Sequence, residues 1–88
     1  MKLSVITKTA QACANEKRLE ILRVLRHRKY ANVSTISRSI TLPIKSTSKH
    51  LQILHTAHVI KREREGNEIF YSLNRPLNEV VKHIVGFL

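Results

Sequence analysis

The segment from Pro43 to Ala57, PIKSTSKHLQILHTA, constrains this chain more than any other. Written on a helix, Ile44, Thr47, Leu51 and Leu54 fall on one face, and Lys45, Lys49, Gln52 and Thr56 on the opposite one. Both sets follow the three-and-four spacing of a 3.6-residue repeat. One face can pack on a core. The other carries two cations, an amide and a hydroxyl, with no acid among them. That is the chemistry of a helix lying in a DNA groove, with cations for phosphates and short polar groups for base edges.

Charge placement extends the argument. The net charge is +10 over 88 residues, and no acid occurs between Ile21 and Arg62. The same window holds Arg23, Arg26, Arg28, Lys29, Arg38, Lys45, Lys49, Lys61 and Arg62. An acid-free stretch centred on the candidate helix is the footprint of a polyanion partner, against the plainer reading of a generally basic surface. The length fits one domain, 1–88, whose modest core would gain from a second subunit. The N-terminus MKLSVITKTA has no sustained apolar run, so it is not read as a signal peptide. No stretch approaches the ~20 apolar residues of a membrane span. A single cysteine, Cys13, forms no internal disulfide and fits a reducing compartment, so the expected location is cytoplasmic and no membrane contact is expected. Cys13 itself reads as a small buried hydrophobe.

In chain order, helices are expected at about 3–14, 16–28, 33–40, 43–57 and 76–88, with strands at about 59–64 and 68–73. In the first helix Leu3, Ile6, Ala10 and Cys13 share a side. Asn15 suits the N-cap of the second, and Glu16 then meets the positive end of its dipole. Arg26, Arg28 and Lys29 at the far end complement the dipole there. Asn32 or Ser34 caps the short third helix, in which Ser37 and Ser39 are small enough to admit a neighbouring helix. Thr41 and Leu42 form a tight turn, and Pro43 fits the first helical position that follows. Two helices joined so closely, the second basic, make a helix-turn-helix.

Beyond Ala57 the period changes from 3.6 to 2. Val59–Arg64 and Glu68–Leu73 read as strands joined by Glu65, Gly66 and Asn67. Lys61, Arg62 and Arg64 make this hairpin basic, either to touch DNA or to guard an exposed edge. Leu77, Val80, Val81, Ile84, Val85 and Leu88 make the last helix too apolar for a solvated one. It either caps its own domain or meets another subunit. The expected class is therefore mainly α with a small β-hairpin, a winged helix-turn-helix.

The residues also resemble one family, the ArsR-type transcriptional regulators. Asn15–Leu22 (NEKRLEIL) resembles that family's D-P-x-R-x-x-I-L, and Val33–Ile36 (VSTI) its V-S-E-L. Ser46–Leu51 (STSKHL) is similar to its S/T-V-S-x-H-L recognition signature. Arg64–Glu65–Gly66 with Phe70–Leu73 is similar to its R-x-G…Y-Y-x-L wing. The resemblance implies a homodimer built on the first and last helices, through Leu3, Ile6, Leu77, Val80, Val81, Ile84 and Leu88. It implies a double-stranded DNA partner, an inverted-repeat operator and a repressor role. Contacts carried over by position fall on Ser46, Ser48 and His50, beside Lys45, Lys49 and Gln52, with Lys61, Arg62 and Arg64 on the wing. For His50 a packed ring and a phosphate contact are both open. The chain departs from the family pattern at Ile44, commonly Gln; at Pro43, commonly a capping Ser; at Thr41 and His58, commonly Gly; and at Asn67, often Arg.

The family's metal sites cannot be assembled. Val33–Arg38 contains no Cys, and the last helix offers only Glu79 and His83. Zinc needs three or four converging ligands. No metal, cofactor or small-molecule effector is therefore expected. With no Ser/His/Asp set, acidic pair or glycine-rich phosphate loop, neither is enzymatic activity. The competing function is a non-specific architectural protein that coats nucleic acid through the same basic face.

Overall fold

A computed structural model describes residues 1–88 as five helices and a three-stranded antiparallel sheet. Helices α1 (Leu3–Cys13) and α2 (Glu16–His27) come first. They are followed by a two-residue strand β1 (Ala31–Asn32), α3 (Val33–Ile40) and α4 (Ile44–Thr56). The hairpin β2 (Ile60–Glu65) and β3 (Glu68–Leu73) precedes the terminal α5 (Glu79–Gly86). No helix is long and apolar enough to cross a membrane.

The helix starts follow local chemistry. Asn15 accepts from the Arg18 backbone N–H at 3.1 Å and caps α2. Asn32 rather than Ser34 caps α3, accepting from Thr35 N at 2.9 Å. Asn78 caps α5, accepting from Val81 N at 2.9 Å. This last cap corrects the expected 76–88 helix. Pro76 and Leu77 lie before it, Glu79 opens the helix, and Gly86 ends it. The peptide bond between Arg75 and Pro76 is cis.

The core is a single cluster drawn from every helix and the base of the hairpin. Ile21, Leu22 and Leu25 of α2 meet Ile36 and Ile40 of α3 and Leu51 and Leu54 of α4. Val59, Ile60 and Leu73 close one end, while Ala12 and Cys13 of α1 and Val81 and Val85 of α5 close the other. Apolar burial of this kind, at roughly 25 cal/mol per Å², is what holds so small a domain together. Helix α1 differs from its expected face: Thr9, Ala12 and Cys13 are buried, whereas Leu3 and Ala10 are exposed. Its N-terminal half overhangs the domain, and only its last turns are packed.

The sheet order is β1-β3-β2. Ile60 pairs with Leu73, Arg62 with Tyr71 and Arg64 with Ile69, and β1 adds Ala31 opposite Tyr71 and Asn32 opposite Phe70. Strand β1 lies where the sequence predicts plain connection, Tyr30–Asn32, because two residues carry no period. Strand alternation puts Ile60, Arg62, Arg64, Ile69, Tyr71 and Leu73 on one face of the hairpin. Lys61, Glu63, Phe70 and Ser72 are on the other. On that second face Tyr30 meets Phe70 edge-on, with ring centroids 5.3 Å apart.

Candidate nucleic-acid interface

Helix α4 is positioned from beneath. Thr47, Leu51 and Leu54 are buried, and they fix which side of the helix looks outward. The α3–α4 turn is tied by hydroxyls. Ser37 Oγ donates to the Leu42 carbonyl, and Thr47 Oγ1 donates to the Pro43 carbonyl at 3.0 Å. Ser37 is buried in this turn, as its small size suggested, but Ser39 is exposed and bonds back to the Thr35 carbonyl at 2.8 Å. Thr41 ends α3 with φ +52°, and His58 follows α4 with φ +60°. Both are left-handed, where a Cβ is unfavourable and glycine is at ease.

Two placements at the helix start differ from expectation. Pro43 stands one residue before the helix, as its N-cap, with Ile44 the first helical residue. Ile44 does not join the core face. It is 51% exposed, because the buried spacing starts only at Thr47, while Leu42 packs against the core from the turn. An exposed isoleucine therefore stands in the first turn of α4. No side chain caps this end, so its first backbone N–H groups stay free to meet an anion.

Lys45, Ser48 and Lys49 are exposed, and Ser46 is half-buried. Gln52 is exposed, and its amide donates to Thr56 Oγ1 at 3.3 Å, one turn further along the helix. Neither lysine of α4 has an ion-pair partner, since the ion pairs of the chain are Lys17–Glu20 and Lys61–Glu63. The cationic side of α4 is uncompensated within its own domain.

His50 is half-buried at the edge of this surface, where its Nδ1 lies 3.2 Å from Arg18 Nη1 of α2. Partial burial, and then the charge of Arg18, hold the imidazole below its ordinary pKa. The same guanidinium donates through Nε to the Ala12 carbonyl at 2.6 Å and through Nη2 to the Gln11 carbonyl at 3.5 Å. Arg18 thus satisfies the open end of α1 while touching α4. In the sequence Arg18 and His50 belong to separate motifs. Their separation of 32 residues leaves no local signal.

The wing divides its cations. Arg62 and Arg64 are exposed on the hairpin face continuous with Ile60 and Leu73, and Arg64 Nε donates to the Gly66 carbonyl at 3.3 Å. Lys61 is on the opposite face and pairs with Glu63 at 3.3 Å. There it lines a cleft with Arg28, Lys29, Tyr30 and Phe70 at the end of α2. The expected trio of wing cations is therefore a pair, with Lys61 set apart by the pleat.

The apolar surface separates likewise. Leu3 is 81% exposed, and Ile6, Val80 and Ile84 line a shallow apolar groove between α1 and α5 with Met1 and His83. Leu77 and Leu88 are half-buried against the core. Val81 does not belong to that surface. It is 1% exposed, pointing into its own domain, so a partner would not reach it. No three His, Cys, Asp or Glu side chains gather in an arrangement that could hold a metal ion.

No protein-family model matches the chain. Among curated proteins, the transcriptional repressor PagR of Bacillus anthracis is 36% identical over 76 residues, which is 86% of this chain and 76% of that protein. The crystal structure of PagR superposes with a TM-score of 0.85 at 32% identity, covering 98% of this chain and 95% of that one. HlyU of Vibrio cholerae N16961 also gives 0.85, at 27% identity, covering 99% and 94%. The solution structure of the homodimeric winged helix-turn-helix DNA-binding domain Mb0332 of Mycobacterium bovis, described as a possible ArsR-family regulator, gives 0.85 as well. It covers 97% of this chain and 76% of that one at 24% identity, a likeness that speaks to the fold alone.

Proposed function

The chain belongs to the ArsR family of winged helix-turn-helix transcriptional regulators, and from that premise we propose that it is a homodimeric repressor of an inverted-repeat operator in double-stranded DNA. The observation that carries the reading is the outward side of α4. It is basic, free of acids and of internal ion pairs, and held in place by a buried row on the reverse side. Each α4 enters a major groove about one helical turn from its twin. Lys45 and Lys49 meet phosphates together with the uncapped first turn. Ser46 and Ser48 reach base edges, with His50 at the rim and Gln52 further along. Arg62 and Arg64 hold the flanking backbone. The protomers join through the groove that Ile6, Val80 and Ile84 line between α1 and α5, together with Leu3, Leu77 and Leu88 of the first and last segments. No catalytic role enters this reading, and PagR is itself a repressor.

The test is selection of bound duplexes from a random pool. An enriched inverted repeat supports the reading, because it reports specificity, dimerism and half-site spacing together. An architectural protein would enrich nothing, and its affinity for random duplex would lie within about tenfold of that for any chosen site. A specific repressor keeps a preference of ~10³-fold or more.

A further inference from the structure

We propose that Arg18 is a positioning residue for DNA binding, fixing His50 as the neutral Nε2–H tautomer and so presenting a hydrogen-bond donor without a charge at the rim of the recognition helix. The proposal rests on α4 being the DNA-reading helix. Its basis is geometric. A guanidinium can only donate, so the His50 Nδ1 that lies 3.2 Å from Arg18 Nη1 must accept and cannot carry a proton. In the neutral ring the single proton is then on Nε2.

Arg18 is itself held on two sides. Its Nε donates to the Ala12 carbonyl at 2.6 Å and Nη2 to the Gln11 carbonyl at 3.5 Å, both at the end of α1. A guanidinium fixed by two carbonyls offers its remaining N–H in one direction, which a lysine ammonium could not do. The surroundings of His50 give the ring no reason to ionise. Of the elements packed against α4, α1 carries Lys8 and Cys13 and α3 carries Arg38. Beside Arg18, α2 holds Glu16, Lys17 and Glu20, and Lys17 Nζ both pairs with Glu20 at 2.9 Å and donates to the Ile40 carbonyl at 2.8 Å. In β2, Lys61 and Glu63 are likewise paired, Arg62, Arg64 and Glu65 lie outward along the hairpin, and Lys49 is the neighbour on α4 itself. The one charged group bonded to the ring is a cation. Partial burial acts in the same direction.

The chemical consequence is a division of labour on one helix. Lys45 and Lys49 attract phosphate whatever the sequence. A neutral imidazole adds one directional bond and none of the salt-sensitive attraction. A neutral His50 therefore adds no pH-dependent attraction of its own to DNA affinity.

Two measurements decide this. In free, full-length protein, nitrogen-15 chemical shifts of the His50 ring should report Nε2–H, unprotonated Nδ1, and titration below that of a solvent-exposed histidine. An Nδ1–H tautomer, or an ordinary titration, would overturn the proposal, and this arm needs no DNA. The second is a double-mutant cycle on the selected operator with Arg18→Met and His50→Gln, with folding of each variant checked by circular dichroism. Arg18→Met should weaken binding by about tenfold at pH 7.5 and make affinity rise as pH falls toward 5.5. In the His50→Gln background, whose amide donor has no tautomer to fix, the same change should cost about twofold or less. Equal losses in both backgrounds would show that Arg18 acts only through packing. Failure to bind any duplex would instead refute the function of α4, leaving the ring measurement to judge the Arg18–His50 link on its own.

Discussion

At the scale of single residues, neighbouring side chains on α4 do different work. Lys49 is exposed and unpaired, so in the proposed complex it would contribute charge without discrimination. Lys49→Ala should weaken binding to operator and random duplex by a similar factor and lower the slope of log affinity against log salt by about one, as measured by fluorescence anisotropy. Ser48→Ala should leave the salt slope unchanged and alter the enriched sequence instead, by ~1–3 kcal/mol at the base it meets. Cys13 illustrates the opposite case. It is buried, and that burial raises its thiol pKa, with the Arg18 charge offsetting only part of the rise. A raised value means less thiolate at pH 8 than an ordinary cysteine has, so reaction with an aromatic disulfide reagent should be much slower in the folded protein than in denaturant. Equal rates in the two conditions would show an open thiol.

At the scale of elements, most of the architecture is legible because caps and periods are local. Asn15 and Asn32 mark their helices in the sequence and do so in the structure. The structure departs from expectation where a cap further along, a sheet partner or the pleat decides the outcome. Helix α5 starts later than expected because Asn78 provides its cap, and the Asn78 amide also donates to Thr9 of α1 at 3.4 Å. Strand β1 exists because β3 offers it an edge, which two residues cannot announce by themselves. Ile44 is left exposed and Val81 buried for a related reason: periodicity says which residues share a face, but not where that face is covered. Lys61 was grouped with Arg62 and Arg64 by sequence proximity, and the pleat of β2 separates them. The two left-handed residues give a test of element junctions. Thr41 is β-branched at φ +52°, the less tolerable case, so Thr41→Gly should stabilise the domain by roughly 0.5–1 kcal/mol. That is a rise of a few degrees in Tm for a domain of this size. His58→Gly should give less, since His accepts this region more readily. A thermal melt of both variants, with the order reversed or both destabilised, would count against the strain argument.

At the scale of the whole molecule, one side gathers charge and another gathers apolar surface. The exposed half of α1 and the groove it forms with α5 are unmatched within the protomer, with Leu3 and Phe87 81% and 90% exposed. A single wing and recognition helix bury little DNA, so in the proposed dimer the second copy adds to specific affinity. Leu3→Asp touches nothing in the core, so it should leave the circular dichroism spectrum intact. It should shift sedimentation toward the monomer and weaken operator binding in proportion. A fully dimeric variant with unchanged affinity would move the subunit contact away from α1.

Asn32 has a consequence for how the molecule comes apart. Its carbonyl oxygen caps α3, its amide donates to Glu68 of β3 at 3.0 Å, and its backbone belongs to β1. One side chain therefore closes the helix-turn-helix and the wing together. Detaching the hairpin unfastens the first turn of α3, and fraying α3 releases the sheet edge. The two should breathe as one unit, with backbone amides of Thr35 and of the β3 edge exchanging with deuterium at a shared opening free energy. In Asn32→Ala that common value should fall by ~1 kcal/mol at both places at once.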